Sequence, residues 1–436
     1  MAFPEAFLEE LAARNDIVDV VSGYVHLTKR TGANQFGLCP FHSEKTPSFS
    51  VNAERQIYHC FGCGKGGGVI NFIMEIETLS FPDAVRFLAN RAGMEVPEDG
   101  SEEHRSRRAR MLELNREAAR FFCGCLKTEA AAPARAYLQK RGLSPETVKS
   151  FGLGYAPDEG WFSQVLYRYL SAKGYTDEDL RASGLVRFKE GKGAYDFFRG
   201  KVMYPIMDKN SRVIGFGGRV LDGSLPKYIN TPETALFDKS RNLYGLFAAR
   251  LTKRPYYLLM EGYMDVIALH QAGIDCAVAS LGTAMTEGHA RLLKRYTDNV
   301  ILTYDSDSAG VKAAMRAIPI LREAGFNIRV LDLKPYKDPD ELIVHEGAAG
   351  YEERIKNAVN FFLYQSDVWK GEQNLSDPAG LTAYCRRLAE ELTTFPDELE
   401  RENYLQAVCE RQEIDPSLLR GMMNRIGNKR VTREVN

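Results

Sequence analysis

Six acidic residues in the middle of the chain have the type and spacing of a divalent-cation site. They form three groups at the ends of apolar runs: Glu261 and Asp265, Asp305 and Asp307, and Asp338 and Asp340. Carboxylates that lie close together raise one another's pKa unless a cation lies between them. Oxygen ligands suit Mg²⁺ or Mn²⁺, which share their other coordination positions with water and substrate phosphates. The pattern therefore predicts a metal site, and ordinary helix N-caps are the alternative interpretation.

The apolar runs predict the elements that position these groups. Short runs rich in β-branched and aromatic residues are typical of buried strands in a parallel sheet. The predicted strands cover residues 256–260, 277–280, 300–304 and 328–333. The predicted helices between them cover residues 264–272, 287–296 and 310–324. Because ligands of such sheets bind beyond the carboxyl ends of the strands, we expect the carboxylates to converge at one edge.

A second site is indicated near the N-terminus by two pairs of metal-ligating residues. The pairs are Cys39 with His42 and Cys60 with Cys63, and the two short runs between them predict a hairpin. Two such pairs separated by a hairpin are typical of a zinc ribbon that binds one Zn²⁺. Since four protein ligands leave no open coordination position, the zinc is expected to be structural.

Cations and aromatic residues surround these two pairs, and this combination suits single-stranded nucleic acid. The cations are Lys29, Arg30, Lys45 and Lys65, and the aromatic residues are Phe41, Phe49, Tyr58 and Phe61. The alternative is that the aromatic rings form the small core of the zinc module. For Phe41 and Phe61 we favour that alternative.

Residues 195–245 combine short predicted strands and glycine bends with a series of cations. The cations are Arg199, Lys201, Arg219, Lys227 and Lys239. Cations beside an acidic metal site are what a triphosphate and a nucleic-acid backbone require. A solvated sheet face with scattered charges is the alternative interpretation.

Length and composition limit the possible architectures. A chain of 436 residues predicts two or three domains, and its net charge of −1 means that a polyanion must bind a local basic patch. The eight cysteines indicate reduced thiols and a zinc site. The sequence shows neither the pattern of a signal peptide nor a membrane-spanning run, so we expect a cytoplasmic location and no membrane partner.

Several of these motifs resemble those of a known family. Glu261 to Asp265, Asp305-Ser-Asp307 and Asp338-Pro-Asp340 together resemble the Toprim domain of bacterial primases, topoisomerases and some nucleases. The first motif, with residues 279–283 downstream, is similar to the version in bacterial DNA primases, although Ser306 stands where many members carry glycine. The zinc-ligand pairs and residues 226–239 resemble the zinc-binding domain and polymerase core of the same family, in the same order.

The resemblance implies a multidomain fold. The expected parts are a zinc-binding domain (a zinc ribbon with flanking helices) at 1–100, a linker at 101–112, an α+β basic subdomain of the polymerase core at 113–250, an α/β Toprim catalytic domain with a parallel sheet at 251–345, and a helical subdomain at 346–436. The apolar spacing beyond residue 345 independently predicts a small helical bundle.

The resemblance also implies DNA-templated synthesis of short RNA primers for replication. The expected Mg²⁺ or Mn²⁺ ligands are Glu261, Asp305 and Asp307, and the residues expected to complete or brace their cluster are Asp265, Asp338 and Asp340. By the same resemblance Lys227 and Lys239 would contact nucleotide or template. Two alternatives stay open on the residues alone: a Toprim topoisomerase or nuclease that cuts DNA, and a non-catalytic protein that binds single-stranded DNA.

The partners follow from the resemblance. They are a single-stranded DNA template, ribonucleoside triphosphates and single-strand-binding protein at the bacterial replication fork, where a monomeric primase would work within the primosome. Members of the family bind the replicative helicase through a further helical domain at the C-terminal end. Since the sequence ends soon after its predicted bundle, we expect that domain to be absent and the chain to be a truncated form or a fragment.

Overall fold

The computed structural model describes residue 3 and residues 5–42, 44, 46–77, 79, 81–94 and 102–434, and the chain divides into two compact units between residues 109 and 110. None of the helices in these described ranges combines the length and apolarity that a bilayer-spanning helix needs. Lys45 lies outside the described residues, as does the start of the expected linker, residue 101.

The first unit is an antiparallel sheet flanked by four helices. Its helices are α1 (Glu5–Arg14), α2 (Ile17–Ser22), α3 (Val69–Ile76) and α4 (Phe81–Arg91). Its strands are β1 (Lys29–Thr31), β2 (Asn34–Gly37), β3 (Phe49–Asn52), β4 (Ile57–Cys60) and β5 (Gly66–Gly67), in that spatial order. The predicted hairpin is confirmed as the antiparallel pair β3–β4. Phe49, Tyr58 and Phe72 are buried between this sheet and α3, within a core that also contains aliphatic residues of all four helices.

The second unit begins with a helical layer on an antiparallel sheet. The helices are α5 (Glu102–Cys125), α6 (Ala132–Lys140), α7 (Pro145–Ser150), α8 (Val165–Ala172), α9 (Asp177–Ser183) and α10 (Leu246–Ala249). The strands are β6 (Gly154–Ala156), β7 (Val186–Lys189), β8 (Gly193–Asp196), β9 (Lys201–Met207), β10 (Val213–Val220) and β11 (Tyr228–Asn230). The sheet order is β11-β10-β9-β6, and β7 and β8 form a separate hairpin.

Residues 102–112, expected to form a linker, are helical because they are the first part of α5. Glutamate, arginine and alanine dominate this stretch, and all three are good helix formers. A charged segment without an apolar period can therefore continue an exposed helix.

The Toprim region has the predicted parallel sheet. Its strands are β12 (Tyr257–Met260), β13 (Ala277–Ala279), β14 (Asn299–Leu302), β15 (Asn327–Val330) and β16 (Val359–Asn360), in the spatial order β13-β12-β14-β15-β16. Its helices are α11 (Tyr263–Gln271), α12 (Glu287–Leu293), α13 (Ser308–Glu323) and α14 (Pro339–Lys356). The first four strands in the order are parallel and only β16 is antiparallel, so four carboxyl ends lie at one edge.

Four helices follow and pack on this sheet: α15 (Phe361–Gly371), α16 (Pro378–Leu392), α17 (Glu398–Gln412) and α18 (Pro416–Glu434). Arg322 on α13 links the two parts. Its guanidinium donates to Glu391 at 2.6 Å and lies over the rings of Phe361 and Phe395, at 5.1 and 4.4 Å from their centroids. The predicted helical bundle is therefore present and attached to the Toprim sheet.

Candidate active site and zinc site

Three of the predicted carboxylates lie together at the carboxyl edge of the parallel sheet. Glu261 follows β12 directly, and Asp305 and Asp307 follow β14, its parallel neighbour. Burial, together with the nearby charges of Asp338 and Asp307, raises the pKa of Asp305 to about 6. Burial also raises the pKa of Glu261, with the charge of Asp305 as the second cause. These groups are therefore close enough for their charges to repel one another.

Hydrogen bonds join the loop after β14 to the loop before α14. The backbone N–H of Ser306 donates to the carbonyl of Lys337 at 2.8 Å, and its hydroxyl donates to the carbonyl of Tyr336 at 2.8 Å. A Cβ at Gly310 would lie 2.1 Å from the carbonyl oxygen of Asp305, so only glycine lets α13 begin this close to the loop. The second and third acidic groups are thus brought together by backbone contacts.

The helix-cap interpretation is correct for two of the acidic residues. Asp307 Oδ1 accepts from the N–H groups of Ala309 and Gly310 at 2.9 and 3.0 Å, and these bonds lower its pKa. Asp338 Oδ1 accepts from the N–H of Glu341 at 2.8 Å. Within the described residues, Oδ2 of Asp307 and Oδ2 of Asp338 accept no hydrogen bond. Each side chain can cap its helix with one oxygen and leave the other for a ligand.

Asp265 and Asp340 lie behind this edge, where both are buried. The N–H of Asp340 donates to Asp265 Oδ1 at 3.3 Å, and Arg141 donates to Asp340 Oδ2 at 2.5 Å. Burial raises the pKa of Asp265 well above its ordinary value. Sequence reasoning missed Arg141, which is 199 residues from its partner in the chain and belongs to no acidic motif.

The donor set fits an ion that keeps part of its water shell. In the described ranges of the chain, the zinc-ligand residues are the only group of three or more potential ligands whose donor atoms all lie within 4.8 Å of one another. Glu261, Asp305 and Asp307 therefore form an open cluster. Mg²⁺ commonly takes one or two carboxylates and several waters, which an open cluster allows. Glu261 Oε1 is buried without a hydrogen-bond partner, so one oxygen at this edge lacks the cation or donor that would offset its burial.

Two of the predicted basic residues, Arg219 and Lys227, line one cavity of about 360 Å³ together with Tyr137. The Arg219 guanidinium lies over the rings of Tyr137 and Tyr228, at 4.3 and 5.5 Å from their centroids. Its Nε and Nη1 atoms are buried and have no hydrogen-bond partner. A buried guanidinium with unused donors beside a cavity is suited to binding an anion.

The other predicted cations lie on different elements. Arg199 lies over the ring of Trp161 at 5.3 Å and donates to its carbonyl, and that indole is 81% exposed. Lys201 starts β9 and pairs in register with Val220, and its ammonium donates to the Arg199 carbonyl at 3.0 Å. Lys239 lies on a 3-10 turn, Lys239–Arg241, beside α12. The structure thus divides the five cations among three places.

The zinc ligands come together as predicted. Cys39 Sγ lies 3.8 Å from Cys63 Sγ, and Cys60 Sγ lies 3.8 Å from His42 Nδ1. Two thiolates at about 2.3 Å from a tetrahedral Zn²⁺ are separated by about 3.8 Å, so the spacing fits the ion. Glu44, which sequence reasoning missed, lies 3.3 Å from His42 Nε2 and therefore turns Nδ1 toward the metal position.

The aromatic residues near the zinc ligands divide into two groups. Phe41 packs against Phe49, Tyr58 and Phe72 at centroid distances of 6.1, 5.9 and 5.8 Å, so its assignment to the core is confirmed. Phe61 is 72% exposed, and the core interpretation is wrong for this residue. It follows β4, where residues alternate between the two faces, and its ring contacts only the His59 ring among the described aromatic groups, at 4.9 Å.

Four family models match the chain in order. They are the CHC2 zinc finger at residues 3–104, the N-terminal domain of the DNA primase catalytic core at 121–250, a Toprim-like domain at 258–343, and the DnaB-helicase binding domain of primase at 364–417. A zinc ribbon, an antiparallel core and an acidic Toprim sheet in this order define a Toprim polymerase.

Known relatives identify the family. DNA primase of Clostridium acetobutylicum is 41% identical over 414 residues, which are 94% of this chain and 68% of the relative. DNA primase of Escherichia coli K12 is 41% identical over 443 residues, 99% of this chain and 75% of the relative. The crystal structure of the zinc-binding and RNA polymerase domains of Aquifex aeolicus primase has 32% identity and a TM-score of 0.61, covering 96% of this chain and 99% of that one. The chain belongs to the bacterial DNA primase family.

It is a DNA-directed RNA polymerase that synthesises RNA primers. The two alternatives, a DNA-cutting Toprim enzyme and a non-catalytic binding protein, are thereby excluded. The solved structure of a DnaG primase catalytic domain bound to single-stranded DNA is also similar to this chain. It has 38% sequence identity and a TM-score of 0.62, and it covers 72% of this chain.

The expectation that the helicase-binding domain is absent is wrong, because the model of that domain matches residues 364–417. This range covers most of α15, all of α16 and α17, and the start of α18. The apolar spacing of these helices predicts that they pack together, but it carries no information about a partner. The match to the helicase-binding domain therefore falls within the predicted helical subdomain, residues 346–436.

Proposed function

We propose that Glu261, Asp305 and Asp307 hold the catalytic Mg²⁺ or Mn²⁺ of this primase. The observation that carries this proposal is the buried, unpartnered Oε1 atom of Glu261, which lies beside the partly buried carboxylate of Asp305. When bound, the ion would lower the pKa of the primer 3′-hydroxyl and neutralise charge on the α-phosphate. The experiment that tests the assignment removes one carboxylate charge, by Asp305→Asn or Glu261→Gln, and measures both oligoribonucleotide synthesis and Mn²⁺ binding.

The remaining acidic residues support this edge in two ways. Asp338 caps α14 with one oxygen and adds its negative charge to that of Asp305, so it completes the cluster. Asp265 and Asp340 brace it, since the bond between them ties α11 to the start of α14. Arg141 offsets the buried charge of Asp340 and leaves that carboxylate less available to a metal. Nucleotidyl transfer depends mainly on positioning and electrostatics, which this arrangement supplies.

The basic residues bind phosphate groups of the nucleotide or the template in this proposal. The strongest support is at Arg219, which has donors without a hydrogen-bond partner and lines the cavity that Lys227 also lines. Arg199 and the exposed Trp161 form a cation beside an aromatic face, which suits a single strand. In the first unit, exposed Phe61 offers a similar stacking surface for the template. The proposed place of action is the replication fork in the bacterial cytoplasm.

Lys227→Ala should weaken binding of single-stranded template or nucleotide by about tenfold, because a charge-assisted contact to phosphate is lost. The slope of log K against log[salt] should fall by about 0.7, the value for one phosphate contact on a single strand. Fluorescence anisotropy with a labelled oligodeoxynucleotide measures template binding, and titration with a ribonucleoside triphosphate measures nucleotide binding.

Lys209→Ala is the matched control for this experiment. Lys209 is exposed in the turn between β9 and β10. Lys227 lies at the other end of this hairpin, where its carbonyl accepts from the N–H of Val220 at 3.0 Å. Removal of the Lys209 side chain should leave affinity and salt slope unchanged. Equal behaviour of the two variants in both titrations would favour a solvated sheet face.

We further propose that the helical subdomain binds the replicative helicase. A cavity of about 520 Å³ lies between α15 and α17, and Leu399 at its rim is 71% exposed. Leu399→Asp should weaken co-elution with the helicase at least about tenfold, as expected when an interface anchor is lost. The control is Leu381→Asp, which places the same charge on an exposed position of α16 outside this cavity. If both variants bind the helicase like the original chain, the contact does not involve this cavity.

A further inference from the structure

The basic turn Lys239–Arg241 connects the antiparallel core to the Toprim sheet. Lys239 is available for a ligand because it forms no ion pair within the described residues, whereas the exposed Arg241 side chain has its Nε 3.4 Å from Asp238 Oδ2. The turn is built locally by Asp238, whose Oδ1 accepts from the N–H and the hydroxyl of Ser240 at 2.8 and 2.6 Å. These local bonds shape the turn but do not attach it to the rest of the catalytic part.

Two side chains at the start of α12 attach the turn to the Toprim sheet. The Thr286 hydroxyl donates to the carbonyl of Ser240 at 2.6 Å, and His289 Nε2 lies 2.7 Å from the carbonyl of Lys239. His289 Nδ1 accepts from the N–H of Thr286 at 3.3 Å, so the proton is on Nε2, which donates to Lys239. His289 is fully buried, and neither side chain has a role in the mechanism proposed above.

The contact between α12 and the turn is close. A Cβ at Gly288 would lie 2.5 Å from the carbonyl oxygen of Ser240, so the helix can approach the turn only through glycine. Just after the turn, Tyr244 and Ala279 exchange two backbone hydrogen bonds of 2.8 and 3.1 Å. Residues 239–244 are therefore fixed to the Toprim side at two places.

The position of α12 connects this attachment to the catalytic edge. The helix follows β13 in the chain, so its start lies at the carboxyl ends of the parallel strands, where Glu261 and Asp305 are found. We propose that Thr286 and His289 are positioning residues, which hold the Lys239–Arg241 turn so that Lys239 meets a phosphate group at this edge. This inference rests on the proposed role of Lys239, and the phosphate belongs to a ribonucleoside triphosphate or to the template.

The physical reason is preorganisation. A lysine on a free turn spreads its charge over many positions, and binding phosphate then costs the entropy of ordering both the turn and the side chain. Two carbonyls held by side-chain donors, one of which is the fully buried His289, remove the backbone part of that cost before the ligand arrives. We call the contacts of Thr286 and His289 with this turn the clamp. The clamp therefore changes ligand affinity through Lys239, and neither of its two side chains contacts the ligand.

Thr286→Val and Thr286→Ser form a matched pair for the test in the whole chain. Valine keeps the shape of threonine without the hydroxyl, whereas serine keeps the hydroxyl. Hydrogen exchange followed by mass spectrometry should show faster exchange of the amides at 240–242 in Thr286→Val and in His289→Leu, with β14 amides unchanged. Thr286→Ser should exchange like the original chain, and His289→Gln, which retains an N–H donor, should recover part of the protection.

The functional readout is the KM for ribonucleotides beside the Kd for single-stranded DNA. His289→Leu should raise either this KM or this Kd about fivefold and change kcat by no more than about twofold. A raised KM indicates a phosphate of the ribonucleotide, and a raised Kd indicates a phosphate of the template. Because the clamp acts through Lys239, the double variant with Lys239→Ala should be no weaker than Lys239→Ala alone.

Faster exchange at 240–242 together with this non-additive effect supports the proposal. Unchanged exchange, or additive losses in the double variant, overturns the clamp and leaves Lys239 as a phosphate contact. If Lys239→Ala changes neither KM nor Kd, the proposed role of Lys239 fails, and the positioning role fails with it.

Discussion

Asp305→Asn should reduce oligoribonucleotide synthesis by roughly 10³-fold or more while the protein stays folded. The change removes one negative charge from the edge where charge on the α-phosphate must be offset, and electrostatic groups at such positions account for effects of this size. Asparagine has nearly the same shape as aspartate, so packing around the loop after β14 should persist. The assay supplies single-stranded DNA, Mg²⁺ and four ribonucleotides, and quantifies labelled oligoribonucleotides.

Stability provides a second measurement that does not depend on activity. In the original chain, burial and the charges of Asp338 and Asp307 raise the pKa of Asp305 to about 6, so its ionisation at neutral pH lowers the stability of the folded state when no cation is bound. The melting temperature of Asp305→Asn in EDTA should therefore equal or exceed that of the original chain. Mg²⁺ should raise the melting temperature of the original chain and have little effect on the variant, since binding to the folded state stabilises it.

The control is Asp332→Asn, which makes the same substitution just beyond β15 in the same sheet. Asp332 is exposed, and its Oδ1 accepts only from the N–H of Lys334 among the described groups, at 3.1 Å. It should retain synthesis and Mn²⁺ binding. If Asp305→Asn makes primers at the original rate, or if both variants bind Mn²⁺ equally, the carboxylates after β14 are not the metal ligands.

The sequence was sufficient to place acidic residues at the carboxyl edge of the parallel sheet, and the reason is chemical. Buried parallel strands need largely apolar runs, so each run ends abruptly at the first acidic residue, such as Glu261 after β12 or Asp305 after β14. Those ends must meet at one edge because the strands are parallel. The zinc ligands were predictable for a similar reason, since thiolate and imidazole pairs at short spacing have few other uses.

What could not be predicted depends on contacts between distant parts of the chain. Arg141 reaches Asp340 across 199 residues, and no local pattern marks either residue as the partner of the other. Phe61 is exposed because of where the strand register places it, which composition does not reveal. The helicase-binding region is a third case. The apolar periodicity of α16 predicts which face of the helix is buried, but a surface that binds a partner has no comparable sequence period.

Cys39→Ala should release the zinc and unfold the first unit, while the second unit keeps its own melting transition. A structural Zn²⁺ supplies about 10 kcal/mol or more of folding free energy in small zinc modules, which is comparable to the whole stability of a small domain. The unit has a single small apolar core, so the loss of one of four ligands should exceed what packing alone can offset.

Zinc content by atomic absorption should fall from one ion per chain to none, and calorimetry should show that the lower-stability transition disappears. Cys125→Ala is the control, because Cys125 is a half-buried thiol of the second unit outside the zinc-ligand set. It should retain zinc and both transitions. A single joint transition in the original chain, lost as a whole in Cys39→Ala, would show that the two units do not fold independently, and that outcome would contradict the division of the chain at residue 109.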